Sequence, residues 1–87
     1  MEILFKVIVE PDEEDGGFVA AIATLPGVVG QGETEEEAIQ DAHAALMFTL
    51  ESMRERGEEL PASDESAREL PTFEESRERG FRTELVV

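Results

Sequence analysis

The sequence contains one histidine, His43, and no cysteine, so side chains for nucleophilic or thiolate chemistry are scarce. No motif near His43 supplies the acid and nucleophile of a relay with an Asp and a Ser or Cys. On the helix predicted below, His43 lies at the edge of the apolar face, which places its ring beside the core. We therefore interpret His43 as structural and predict no catalytic residue.

The run Asp12–Asp15 is the other group with possible chemistry, because carboxylates are ligands for hard cations. A calcium loop places its ligands at alternate positions and ends in a bidentate Glu, whereas these carboxylates are consecutive and lead into Gly16 and Gly17. A nuclease-type metal site needs carboxylates that converge from several elements, and the strand candidates stand only at strand ends: Glu2, Glu10 and Glu84. The run is therefore predicted to be a solvated hairpin tip, with no metal.

Three glycines, Gly27, Gly30 and Gly32, have the spacing G-x-x-G-x-G. A phosphate-binding loop has a different order and opens directly into the helix of a βαβ unit. Tight turns are the simpler interpretation, and we predict no cofactor.

The formal net charge is −15, from 22 acidic and 7 basic residues among 87. Such a surface repels nucleic-acid backbones and anionic membranes and attracts basic proteins. Plain solubility is the alternative explanation of the same charge. No stretch is apolar enough for a signal peptide or a membrane span, and the absence of cysteine fits a reducing compartment, so we expect a cytoplasmic protein that binds neither nucleic acid as a monomer nor membrane.

The elements that would position these residues follow from hydrophobic periodicity. Alternating apolar residues predict a strand from Ile3 to Val9, a hairpin partner from Phe18 to Ala23 and a short third strand from Val28 to Gln31. Thr34 followed three residues later by Glu37 is typical of a helix start, and Gly57 of a helix end. The pattern indicates an α+β fold, β-β-β-α-β, with a single sheet and one long helix on one face.

We expect one domain over residues 1–87. Its parts are a core over 3–57, a linker or short helix over 58–80 and a last strand over 81–87. No room remains in this division for a separate DNA-binding domain.

Two apolar surfaces are candidates for contact with a partner or another copy. Phe48 falls on the polar side of the helix, with Ala44 and Met47 between it and the buried face. A sheet with one helix leaves its second face uncovered, and Leu4, Ile8, Val19 and Ala21 would line that face. We therefore expect a homodimer or tetramer.

Taken together, the motifs resemble the HicB antitoxin family, including small stand-alone HicB-like (UPF0150-type) proteins. The resemblance covers roughly residues 3 to 61 and depends on the order of three motifs, since each alone is common. They are the loop P-D-E-E-D-G-G-F, the turn L-P-G and the helix start G-E-T-E-E-E-A, and we expect these members to be structural: Gly16, Gly17, Pro26, Gly27, Gly32, Thr34 and Glu37.

The resemblance implies a partial RNase H-like fold and an antitoxin that covers the surface of a HicA toxin, a small basic ribonuclease that cuts messenger RNA. Many relatives carry a second, DNA-binding domain, which the division of this chain leaves out. Two other functions stay open: a homo-oligomeric, non-catalytic binding or regulatory module without a toxin, and a metal-dependent nuclease on the same core.

Overall fold

The computed structural model describes residues 2–72 and 80–86. It contains one four-stranded antiparallel sheet and one long helix, in the predicted order β-β-β-α-β. The elements are β1 (Glu2–Pro11), β2 (Phe18–Ile22), β3 (Leu25–Gly32), α1 (Glu35–Glu55) and β4 (Gly80–Val86). The spatial order β3-β2-β1-β4 places β1 and β2 inside the sheet and β3 at one edge.

The central strand β1 alternates as predicted. Ile3, Phe5, Val7 and Val9 are buried against α1, because successive side chains of a strand point to opposite faces. The remaining core comes from the facing positions of the other elements: Ala20, Ile22, Val28, Ala38, Ala42, Leu46, Leu50 and Phe81. The apolar stripe of α1 and one face of the sheet thus form a two-layer core.

The third strand is longer than the predicted Val28 to Gln31. Leu25 pairs with Ile22 across a two-residue turn, and regular pairing resumes at Val29 opposite Ala21. Pro26 and Gly27 therefore lie in an irregular stretch of β3, where both are exposed. A strand edge accommodates such a bulge, because Pro there has no ladder hydrogen bond to lose.

The helix begins as the sequence predicts. The Thr34 hydroxyl accepts a hydrogen bond from the Glu37 amide at 3.1 Å, and the Glu37 carboxylate accepts one from the Glu33 amide at 2.9 Å. In a standard capping box the carboxylate reaches the cap residue itself, so here the reciprocal bond has moved one residue outward. At the other end Gly57 has φ +71°, and its amide donates to the Arg54 carbonyl.

Gly30 and Gly32 allow the backbone of α1 to approach β3 closely and do not form tight turns. This corrects the prediction for these two glycines. Neither has a positive φ. A Cβ on Gly30 would lie 2.5 Å from the Ala38 carbonyl oxygen, and one on Gly32 would lie 2.5 Å from the Ala38 amide nitrogen. The two glycines and the small side chains of α1 let the helix backbone lie directly on β3.

The chain after α1 crosses the sheet face opposite the helix. The Ser63 hydroxyl accepts from the Leu4 amide at 3.0 Å, and the Asp64 amide donates to the Leu4 carbonyl at 2.9 Å. After a 3₁₀ turn at Glu65–Ala67, the Pro71 carbonyl accepts from the Arg82 amide on β4. We call residues 63–72 the strap.

The strap lies on the face that carries Leu4, Lys6 and Arg82. Lys6 and Arg82 are register partners, and the Arg82 side chain donates to the Arg68 carbonyl of the strap at 2.7 Å. Ala67 is fully buried and Leu4 is 8% exposed. The linker predicted over 58–80 thus contains one helical turn. Its residues 73–79, and Val87 of the predicted last strand, lie outside the described residues.

Candidate protein-binding surfaces

An apolar ridge runs along the solvent side of α1. Phe48 is 72% exposed and Met47 45%, and Ala44 is also exposed. Positions three and four residues apart are neighbours on a helix, so these three side chains form one patch, the helix ridge. Phe48 therefore lies on the polar side of α1, as predicted.

Carboxylates flank the helix ridge at both of its ends along α1. Asp41 precedes Ala44 by three residues, Glu51 follows Phe48 by three and Glu55 by seven, and all three are exposed. The first turn adds Glu35, Glu36 and Glu37. An exposed aromatic ring with carboxylates on either side of it along the helix suits a partner that offers an apolar pocket with a basic rim.

Asp41 has a structural role that the sequence did not reveal. Its carboxylate accepts a hydrogen bond from the Gln31 amide of β3 at 2.9 Å. This amide belongs to the edge strand, and occupying it blunts an edge that would otherwise be open to strand pairing. No local pattern indicates a bond across ten residues between an exposed helix side chain and a strand.

The second sheet face is covered only in part. Leu4 was expected on this open face, but the strap buries it, so Leu4 lies under the chain's own backbone. Ile8, Val19 and Ala21 are half-buried, and their neighbour Val29, which the sequence analysis did not single out, is 45% exposed. We call these four residues the sheet patch.

The sheet patch has charges of opposite sign at its two ends. Beyond Ile8 and Val19, the exposed Glu10 and the loop residues Asp12–Glu14 border an open groove. On the other side of Ile8 stand Lys6 and its register partner Arg82. The face is therefore acidic at the hairpin end, apolar in the middle and basic toward the strap.

The hairpin tip is held by its own backbone. The Asp12 carboxylate accepts hydrogen bonds from the amides of Glu14 and Asp15, at 3.1 and 3.2 Å, and Gly16 and Gly17 have positive φ. Across residues 2–72 and 80–86, no group of three or more His, Cys, Asp or Glu side chains is arranged to hold a metal ion.

His43, which the sequence analysis placed beside the core, is exposed on α1. It borders a cavity of about 30 Å³ between α1 and the sheet, together with Val7, Ile39 and Thr83. A cavity of this size has room for about one water molecule and none for a substrate. The part of the chain that the structure describes contains no helix long and apolar enough to cross a bilayer.

Comparison with known families identifies the class of protein. The family described as the HicB_like antitoxin of bacterial toxin-antitoxin systems matches residues 5–78. That match spans the hairpin, the edge strand, the helix and the strap.

Individual relatives agree with the family match. The UPF0150 protein Ta0767 of Thermoplasma acidophilum is 35% identical over 57 residues, which are 66% of this chain and 81% of that protein. Antitoxin HicB 1 of Photorhabdus laumondii is 37% identical over 57 residues, 66% of this chain but 36% of the relative. The matched 57 residues therefore correspond to about a third of the longer antitoxin.

Solved structures share the fold. The N-terminal domain of the Burkholderia pseudomallei antitoxin HicB superposes with a TM-score of 0.65 at 24% identity, over 98% of both chains. The same antitoxin in its longer form gives 0.64 at 23% identity, over 98% of this chain and 63% of the other. With the sequence motifs, the family match and the shared fold in agreement, the chain belongs to the HicB-like antitoxin family of bacterial toxin–antitoxin systems.

Proposed function

We propose that this protein is an antitoxin that binds and neutralises a small, basic, HicA-type toxin that cleaves messenger RNA, and that it does so by covering the toxin's surface. The observation that best supports this proposal is the helix ridge. Phe48 is 72% exposed on a helix that also carries exposed carboxylates, in a chain of net charge −15. Family membership supports a toxin partner, and the charge supports a basic one.

The proposed mode of inhibition is binding. A ribonuclease needs a basic surface to hold RNA phosphates, and the acidic side of α1 presents carboxylates to such a surface in place of RNA. Phe48 would anchor the complex in an apolar pocket, since large aromatic side chains supply most of the energy at the centre of an interface. Messenger RNA as the toxin's target places the proposed action in the cytoplasm.

The test is co-expression with the basic protein encoded beside this gene. We expect growth rescue and co-purification with the wild-type chain, and loss of both with Phe48→Asp. Ala23→Asp is the matched control, because it places the same charge at an exposed apolar position outside both the helix ridge and the sheet patch. Rescue by Phe48→Asp equal to wild type would exclude the ridge as the toxin contact.

A second candidate function is a homo-oligomeric, non-catalytic regulatory module without a toxin. The sheet patch favours it, because a partly exposed apolar sheet face is suited to self-association. The absence of a small basic reading frame beside the gene, or failure of its product to co-purify, would favour this candidate over the first.

A further inference from the structure

We infer that the sheet patch is the contact between two copies of this chain, stacked about a two-fold axis that runs across the strands. The inference deepens the self-association named in the second candidate function and is independent of the toxin. Ile8 and Val29 would meet their own counterparts, and Glu10 of one copy would face Lys6 of the other.

The register defines the layout of this face. Glu10 pairs with Val19, and Val19 with Gln31, which makes one row across the sheet. Ile8, Ala21 and Val29 form the next row, and Lys6 and Arg82 the row after that. Leu4, under the strap, follows on the basic side.

With the strands of the two sheets aligned, two symmetric ways of stacking exist: the two-fold axis lies in the plane between the sheets and runs either along or across the strands. An axis parallel to the strands keeps the strand direction, so Glu10 would face Glu10 and strap would collide with strap. An axis across the strands, through the row of Ile8, reverses the strand direction. Glu10 then lies over Lys6, and the hairpin end of one copy lies over the strap of the other.

Shape and charge select the second arrangement together. The strap rises above the sheet beside Leu4, and at the opposite end Ile8, Val19 and the residues Pro11–Glu14 enclose an open groove. The reversed stacking puts the ridge of each strap into the groove of the other copy. It also brings exposed Arg68, whose guanidinium forms an ion pair with exposed Glu65, toward the acidic loop.

A second copy fits this face better than a basic partner does. The face carries its own cations at Lys6, Arg68 and Arg82 beside its own carboxylates, so it is complementary to itself, whereas α1 presents a surface dominated by negative charge. The overall repulsion between two chains of charge −15 is long-ranged and is screened within about 8 Å at physiological salt. Contacts between directly apposed groups are less affected by that screening.

Charge exchange tests the arrangement. Light scattering or sedimentation at tens of micromolar protein in about 0.15 M salt should give a dimer for the wild type. Lys6→Glu and Glu10→Lys should each weaken the dimer about tenfold, and the double variant should restore it, because only apposed groups show such coupling. A monomeric wild type, or a double variant no better than the single ones, would overturn the inference.

Cross-linking gives a second, independent readout, since the native chain has no cysteine. Stacked sheets lie about 10 Å apart, so Ala21→Cys should be joined to its counterpart by a bismaleimide of that reach. Phe48→Cys, on α1, should not be joined. The reverse result would move self-association to the helix ridge. If Val29→Asp abolished toxin binding but left the molar mass of the assembly in light scattering unchanged, the sheet patch would be the toxin contact and the inference would be overturned.

Discussion

The carboxylate of Asp41 on α1 accepts a hydrogen bond at 2.9 Å from the backbone amide of Gln31 on the edge strand β3. This bond ties the solvent side of the helix to the margin of the sheet. It also occupies a donor on an edge where an incoming strand would otherwise pair. One exposed side chain thus contributes both to stability and to protection of the edge.

Asp41→Ala is expected to lower the free energy of unfolding by about 1 kcal/mol, the usual contribution of such a hydrogen bond. Asp41→Asn retains an oxygen acceptor at the same position and should lose less than half of that. Urea denaturation followed by circular dichroism measures both. Equal losses for Ala and Asn would contradict a role for the hydrogen bond.

Gly30→Ala is expected to prevent folding or to destabilise the protein by more than about 3 kcal/mol, because the three nearest atoms to the new methyl group are helix backbone that cannot move aside. Gly27→Ala is the matched control on the same strand, since a Cβ there meets no atom within 4 Å and its φ is not positive. Thermal melts of the two variants should differ widely. A Gly30→Ala protein as stable as wild type would contradict the close packing of α1 on β3.

Local signals in the sequence were sufficient for the element order, the capped helix and the core face of β1. Each depends on residues within one element, such as the alternation around Phe5 or the pair Thr34 and Glu37. The exposure of Phe48 followed from the helical period in the same way. The family also followed from motif order, and the family match confirmed it.

Features that depend on contacts between distant segments were missed. Gly30 has the composition of a turn, and only the position of Ala38 and Ala42 above it explains the glycine. Leu4 has the pattern of an open face, and its burial requires Ser63, which is 59 residues away. Nothing in the local sequence of either residue encodes its distant partner.

Thr34→Ala should destabilise the protein by about 1 kcal/mol, because it removes the side-chain acceptor at the helix N-terminus. Thr34→Ser retains the hydroxyl and should stay within a few tenths of a kcal/mol of wild type. Chemical denaturation with both variants separates loss of the cap from loss of the methyl group. A large effect of Thr34→Ser would assign the role to the methyl group instead.

The hydrogen bond from the Leu4 amide to the Ser63 hydroxyl attaches the strap to β1, and its removal should loosen the strap. The Leu4 amide lies beyond the last pairing of β1 with β2, and the Ser63 hydroxyl is its acceptor. Ser63→Ala leaves this partly buried amide without that acceptor and should cost about 1–2 kcal/mol, with faster amide hydrogen exchange at Leu4. Ser63→Thr retains the hydroxyl and is the control.

Because the strap also forms the ridge of the inferred dimer, Ser63→Ala should weaken dimerisation while toxin binding at the helix ridge persists. Unchanged hydrogen exchange at Leu4 would mean that the strap is held by its other contacts, the Asp64 amide on Leu4 and the buried Ala67.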